Sequence, residues 1–157
     1  MQMGEFKQEI IKVNNSVNFE VFGQGLRKQK VDVFQDKILI IANNNRVKVL
    51  SMVDAIDRTT TKLMDIALIM EFKDRFIAAM DERLGVKVLS HLKDYDPKLE
   101  ISVSVTILER PIEELLPGLT LRESREASKA PPPSSVDRGR SLLQKHFYNL
   151  PEGVKEN

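Results

Sequence analysis

The sequence predicts an α+β fold in which a helix and two strands are followed by a long helix and two further strands. Apolar residues recur at helical spacing over 4–21 and over 49–84. Apolar runs rich in β-branched residues lie at 31–42, and apolar and polar residues alternate strictly over 101–108. The simplest arrangement is a four-stranded, mostly antiparallel sheet with the helices on one face, plus a C-terminal tail.

The chain divides by composition into three parts. Residues 1–110 form the α+β domain, and residues 111–136 form a Pro/Ser-rich linker that includes "EASKAPPPSSV". Residues 137–157 form a short amphipathic helix and tail whose apolar face carries Leu142, Leu143 and Phe147. The alternatives for this segment are docking on its own domain, on a second copy or on another protein, and a segment that stays disordered.

The first helix and the first hairpin each have an apolar face that is expected to lie in the core. The apolar residues from Met3 to Val17 line one helix face, so we expect a helix over roughly 4–21 that ends at "FGQG". The hairpin joins "KVDVFQ" to "KILIIA" with a tight turn at Asp36. Because the apolar run 38–42 is continuous, the sequence predicts a central strand that is covered on both faces.

The long helix predicted over 49–84 carries an apolar residue every seventh position. These residues are Ile56, Leu63, Met70, Ile77 and Leu84. About 35 helical residues span roughly 50 Å, more than twice the length of a six-residue strand. We therefore expect either a break at the threonines 59–61 or a homodimer through 49–84, unless the C-terminal helix covers the overhang.

The second hairpin contains the one place where a histidine stands beside carboxylates. If Leu92 and Ile101 both point into the core, His91 faces outward, and Asp94 and Asp96 lie in the turn. The alternative is a metal or acid–base site. A metal needs three or four converging ligands, and this chain has two histidines and no cysteine. The sequence thus predicts a structural turn, with no metal, cofactor or catalytic residue.

Composition narrows the classes of partner. Lys and Arg number 24 against 23 Asp and Glu, so no overall field attracts the chain to nucleic acid, and nucleic-acid binding is not expected. The longest apolar run, 38–42, is far below the roughly 20 residues that span a bilayer. Common phosphate-loop, nucleophile-elbow and zinc-helix motifs do not occur. We expect a cytoplasmic protein that is not an enzyme and has no transmembrane segment.

A basic edge is the main candidate binding site. The start of the first strand and the end of the second lie at the same edge of a hairpin, and the next helix begins there. This edge collects Arg27, Lys28, Lys30, Arg46, Lys48 and Ser51. Such a set can bind a small anion or an acidic partner. The alternative is a basic loop that only contacts solvent.

Residues 5–108 resemble the MpsC domain family of small YbcI-like bacterial proteins. The resemblance follows "GQGL", "KVDVFQDKILII", "LSMVD", an Arg75-containing helix, "LGVKVLS" and "VSVTIL" in that order. It implies a component of a sodium-translocating, membrane-potential-generating system or of an inorganic-carbon uptake system. We therefore expect a non-enzymatic accessory or regulatory protein that binds a larger, membrane-associated assembly. The alternative function is a small-anion sensor that uses the basic edge.

Overall fold

The computed structural model describes residues 1–116 and confirms the predicted α+β fold. In chain order its elements are α1 (Met3–Phe22), β1 (Lys28–Phe34), β2 (Lys37–Asn43), α2 (Lys48–Asp54), α3 (Arg58–Leu84), β3 (Val88–Asp96), β4 (Ile101–Leu108) and α4 (Ile112–Leu115). The strands form one antiparallel sheet in the order β1-β2-β4-β3. Most of the predicted linker and the predicted docking residues Leu142, Leu143 and Phe147 lie outside the described residues.

The core lies between the helices and one face of the sheet. Helix α1 ends one residue beyond the predicted range, where Gly23 adopts the left-handed conformation with φ of 71°. The fully buried side chains of α1 and α3 pack against alternate residues of β1 and β2. The cluster includes Phe6, Ile10, Val13, Val17, Val31, Ile38, Ile40, Phe72, Phe76 and Met80. The spacing of apolar residues in α1 therefore identified the correct buried face.

The predicted long helix is two helices, and the break lies earlier than the threonines. Helix α2 ends at Asp54, and α3 begins at Arg58. The Asp57 side chain accepts hydrogen bonds from the backbone amides of Thr59 and Thr60 at 2.9 and 3.3 Å. An aspartate in this position satisfies amides that have no partner within the helix. The threonines thus form the first turn of α3 instead of interrupting it.

A β-bulge explains why the predicted orientation of His91 is wrong. Val88 pairs with Leu108, but the next pair joins Ser90 to Ile107, so Leu89 is an extra residue. One extra residue reverses which side chains face the core along the rest of a strand. His91 consequently faces the helices and is 4% exposed, whereas Leu92 lies on the opposite face.

Strand β4 also faces the opposite way from the prediction. Its polar residues Ser102, Ser104 and Thr106 are buried on the helix side. They pair with Ala42, Ile40 and Ile38 of β2, which are likewise buried. The alternating apolar residues Ile101, Val103, Val105 and Ile107 therefore lie on the other face of the sheet. Alternation revealed the strand, but it did not reveal which set of side chains the helices cover.

The second face of β2 is not covered by the part of the chain that the structure describes. The prediction that residues 38–42 are covered on both faces is therefore wrong for residues 1–116: Ile38, Ile40 and Ala42 are buried, but Leu39 and Ile41 are partly exposed. We call the face that carries them the open sheet face. Its apolar residues are Phe34, Leu39, Ile41, Leu92, Ile101, Val103, Val105 and Ile107. Across residues 1–116 we find no helix of the length and hydropathy that a bilayer crossing requires.

Candidate functional site

Arg46 is the centre of a polar cluster where β2 leads into α2. Its Nε and Nη2 donate to the two carboxylate oxygens of Asp54 at 2.8 and 2.9 Å, and its Nη1 donates to Asp65 of α3 at 2.5 Å. The guanidinium side chain is 8% exposed. Paired hydrogen bonds of this kind are short, directional and stronger than bonds between neutral groups. The cluster therefore connects β2, α2 and α3.

The charges of this cluster shift the pKa values of its members. The hydrogen bonds from Arg46 lower the pKa of Asp54 to about 2, and the carboxylates raise the pKa of Arg46 above its usual value. The Tyr95 ring lies 5.9 Å from the guanidinium carbon, and its hydroxyl donates to the carbonyl of Asn44 at 3.0 Å. Burial raises the pKa of Tyr95 to about 12. At neutral pH the tyrosine is a neutral donor and the arginine is charged.

A small pocket opens beside this cluster. It has about 20 Å³ of space, which is enough for one or two water molecules or a small ion. Its walls come from the end of α1, the segment 44–50, α3 and β3. The lining residues are Phe22, Asn44, Asn45, Arg46, Val47, Leu50, Asp65, Ile69, Lys93 and Tyr95. The enclosed part of the pocket therefore suits a small ion better than a nucleotide or a sugar.

Lys93 is the unusual residue of the pocket. Its ammonium lies 4.1 Å from the centre of the Phe72 ring, and within residues 1–116 no carboxylate lies within 4 Å of it to form an ion pair. Burial lowers the pKa of Lys93 to about 8. The aromatic face stabilises the cation in part. A small anion in the pocket would stabilise it further.

His91 belongs to the core and not to a site with the aspartates. Its ring stacks on Phe76 with centroids 4.3 Å apart, and its Nδ1 lies 2.9 Å from the Thr106 hydroxyl oxygen. Its Nε2 is buried without a partner within residues 1–116. Burial, followed by the charges of Lys93 and Lys73, lowers the pKa of His91 to about 3. The histidine is therefore neutral at physiological pH.

The two aspartates of the same hairpin face away from the histidine. Asp94 pairs with Val103 inside the sheet, so its predicted place in the turn is wrong. Asp96 does shape the turn, since it accepts hydrogen bonds from the amides of Lys98 and Leu99 at 2.8 and 3.1 Å. Across residues 1–116, no three metal-binding side chains converge. The geometry gives no support to a metal or acid–base role for this hairpin.

Carboxylates neutralise much of the charge of the predicted basic edge. Arg46 is paired with the carboxylates of Asp54 and Asp65. The Lys30 Nζ lies 3.2 Å from the Asp32 Oδ2, and the Arg27 Nη2 lies 4.0 Å from the Glu100 Oε2. The amide of Arg46 also binds Glu100, which brings Arg27 and Arg46 to one carboxylate. Lys28 is exposed on β1, and Lys48 and Ser51 are exposed on α2. These six residues do not form one pocket, although Arg46 lines the pocket of Lys93.

A second exposed apolar surface extends from α2 to the first half of α3. Large apolar side chains that a monomer usually buries are exposed here, Ile56 to 85%. We call this set the α2–α3 surface: Val49, Met52, Ile56, Leu63, Ile66 and Met70. Leu63, Ile66 and Met70 share one side of α3 through their three- and four-residue spacing. Lys48, Arg58 and Lys62 are exposed on the same elements.

Two features of the site were missed by the sequence prediction. Lys93 is one of many lysines in the chain, and only the bulge at Leu89 turns it toward the helices. The partners of Arg46 lie 8 and 19 residues away, and the aspartates carry no local signal of that pairing. The seven-residue spacing of Ile56, Leu63 and Met70 was visible in the sequence, and these three side chains are exposed. Comparison of this chain with protein-family models, with curated proteins and with solved structures found no match.

Proposed function

We propose that this protein is a non-enzymatic accessory or regulatory protein that binds a larger protein assembly through the α2–α3 surface. The observation that carries the proposal is the set of six exposed large apolar side chains on α2, on α3 and between them. Contiguous apolar surface on a soluble domain is characteristic of interaction sites. The exposed Lys48, Arg58 and Lys62 favour a partner segment that combines apolar and acidic side chains.

The resemblance of residues 5–108 to the MpsC domain family suggests the kind of assembly. We propose a membrane-associated complex for cation translocation or inorganic-carbon uptake, bound from the cytoplasmic side. The predicted homodimer through 49–84 would use the same exposed residues and therefore competes with that partner. One surface holds one occupant at a time, so the two can be distinguished by measuring binding and oligomeric state together.

The test compares two matched substitutions in the full-length tagged protein. Leu63 is exposed on the α2–α3 surface, and Leu99 is exposed in the β3–β4 turn. We expect the wild type and Leu99→Asp to recover the same proteins from detergent-solubilised native membranes. Leu63→Asp should reduce the amount of recovered protein about tenfold or more, as is usual when a central contact residue is replaced. Equal recovery by Leu63→Asp and Leu99→Asp would contradict the proposal. If Leu63→Asp instead changes only the oligomeric state, the homodimer is the occupant.

A second candidate function, small-anion sensing, rests on Lys93. This half-buried lysine lines a pocket of ion size and has no carboxylate partner within residues 1–116. We expect phosphate, bicarbonate or formate at millimolar concentration and constant ionic strength to raise the Tm, because a ligand that binds only the native state stabilises it. Lys93→Met should abolish the increase, whereas the exposed Lys48→Met should retain it. No increase with any of the three anions would exclude this function.

A further inference from the structure

The open sheet face has a charge pattern that runs across the strands. The register aligns Lys30, Ile41, Val103 and Asp94 in one row from β1 to β3. The neighbouring row begins with Lys28 on β1 and ends with Asp96 on β3 by the same pairing. In these two rows a basic residue stands at the β1 end and an acidic residue at the β3 end, whereas the next row begins with Asp32, which pairs with Lys30 at 3.2 Å, and ends with Leu92. The middle of the face is apolar, and Val103 is 41% exposed.

This pattern is complementary to itself under one particular symmetry. A two-fold axis parallel to the strands, between two facing sheets, places β1 of one copy opposite β3 of the other. Lys30 then faces the partner copy's aspartate at position 94, and Lys28 faces the aspartate at position 96, each twice. An axis perpendicular to the strands would instead place lysine opposite lysine. Both axes keep the strands of the two sheets aligned, as stacked sheets in proteins require within about 30°, so the charges decide between them.

We propose that a second copy of this chain covers the open sheet face, related by a two-fold axis nearly parallel to the strands. The two sheets pack about 10 Å apart, as in a β-sandwich. Four strands of about seven residues present roughly 20 by 23 Å of surface on each copy. The area buried by both copies is thus close to 1,000 Å², at the lower limit for a specific interface. We therefore expect a weak dimer whose population rises with protein concentration.

This inference goes beyond the proposed function, because it concerns the open sheet face and not the α2–α3 surface. It also accounts for the continuous apolar run 38–42, whose second face is uncovered within residues 1–116. The other possible occupants of the face are residues 117–157 of the same chain and a different protein. If either of them covered the face, the lysines at the β1 end would have no reason to match the aspartates at the β3 end.

The experiment is sedimentation velocity of the full-length protein from micromolar to millimolar concentration at low salt. We expect the wild type to dimerise, and Lys30→Glu or Asp94→Lys to weaken the dimer about tenfold or more, because each substitution places two like-charge pairs in the interface. An equimolar mixture of the two variants should restore association, since Glu at position 30 then meets Lys at position 94 and the unchanged pair is retained. Glu82→Lys on the exposed side of α3 is the charge-matched control.

Two results would overturn the inference. The first is a wild type that remains monomeric up to about millimolar concentration, which corresponds to a binding free energy weaker than about 4 kcal/mol. The second is a mixture that associates no better than its separate components. The fold of each variant is checked by thermal unfolding, and Val103→Lys is a second substitution that removes the dimer without altering the charged ends. A defect of Leu63→Asp in partner recovery is independent of all these outcomes.

Discussion

Acidification below about pH 6.5 is expected to destabilise the domain through His91. Burial lowers the pKa of this histidine from 6.5 to about 3, so the native state binds its proton less readily than the unfolded state. The stabilisation is complete above pH 6.5 and is lost as the pH falls toward 3. Each pH unit in this window costs about 1.4 kcal/mol, so the loss between pH 6.5 and 4.5 is about 2 to 3 kcal/mol.

The measurement is urea unfolding of the wild type and of His91→Gln at several pH values. Glutamine retains a polar contact to Thr106 and does not titrate, so we expect a flatter stability profile between pH 6.5 and 4.5. Asp54, whose pKa is about 2 because of the hydrogen bonds from Arg46, does not contribute to the profile in this window, since its stabilisation is lost only below about pH 4. Parallel profiles for the two proteins would show that His91 is not buried as a neutral ring.

Replacement of Arg46 by methionine is expected to lower the free energy of unfolding by about 2 to 3 kcal/mol. The substitution leaves Asp54 and Asp65 together without the cation that they share, and a carboxylate that loses its ion-pair partner in a partly buried site is costly. Water reaches both carboxylates, whose side chains are about one-fifth exposed, so the loss is smaller than for a fully buried pair. Chemical denaturation of the full-length protein measures it directly.

Lys48→Met is the matched control, because it removes an exposed cation of α2. We expect this variant to differ from the wild type by less than about 0.5 kcal/mol, as is usual for surface positions. The double variant Arg46→Met/Asp54→Asn should be more stable than the sum of the two single effects predicts, since the pair is coupled. Strict additivity would mean that the Arg46–Asp54 contact does not form in solution.

The sequence predicted the elements well because their patterns are local. The spacing of apolar residues identified α1, and strict alternation identified β4 to the residue. A glycine with positive φ ends each of the two long helices, as the sequence indicated at Gly23 and Gly85. The break between α2 and α3 lies earlier than the predicted one. The capping side chain of Asp57 determines where α3 begins, and the low helix propensity of the threonines does not.

The orientation of the second hairpin could not be predicted, because it depends on a contact between distant residues. The bulge at Leu89 and the pairing of β4 with β2 determine whether the helices cover the set of side chains that includes Ser102 or the set that includes Val103. Both sets of side chains fit a strand, and the helices cover the hydroxyl-bearing set. The exposed apolar face and the burial of His91 and Lys93 follow from that same choice.

The measurement that tests the account most directly is the chemical accessibility of position 103. The chain has no cysteine, so Val103→Cys and Leu99→Cys each introduce a single thiol into the full-length protein. If a second copy covers the open sheet face, maleimide labelling at position 103 slows as the protein concentration rises from micromolar to millimolar, while labelling at position 99 stays constant. Labelling at position 103 that is equally fast, or equally slow, at every concentration would contradict the account.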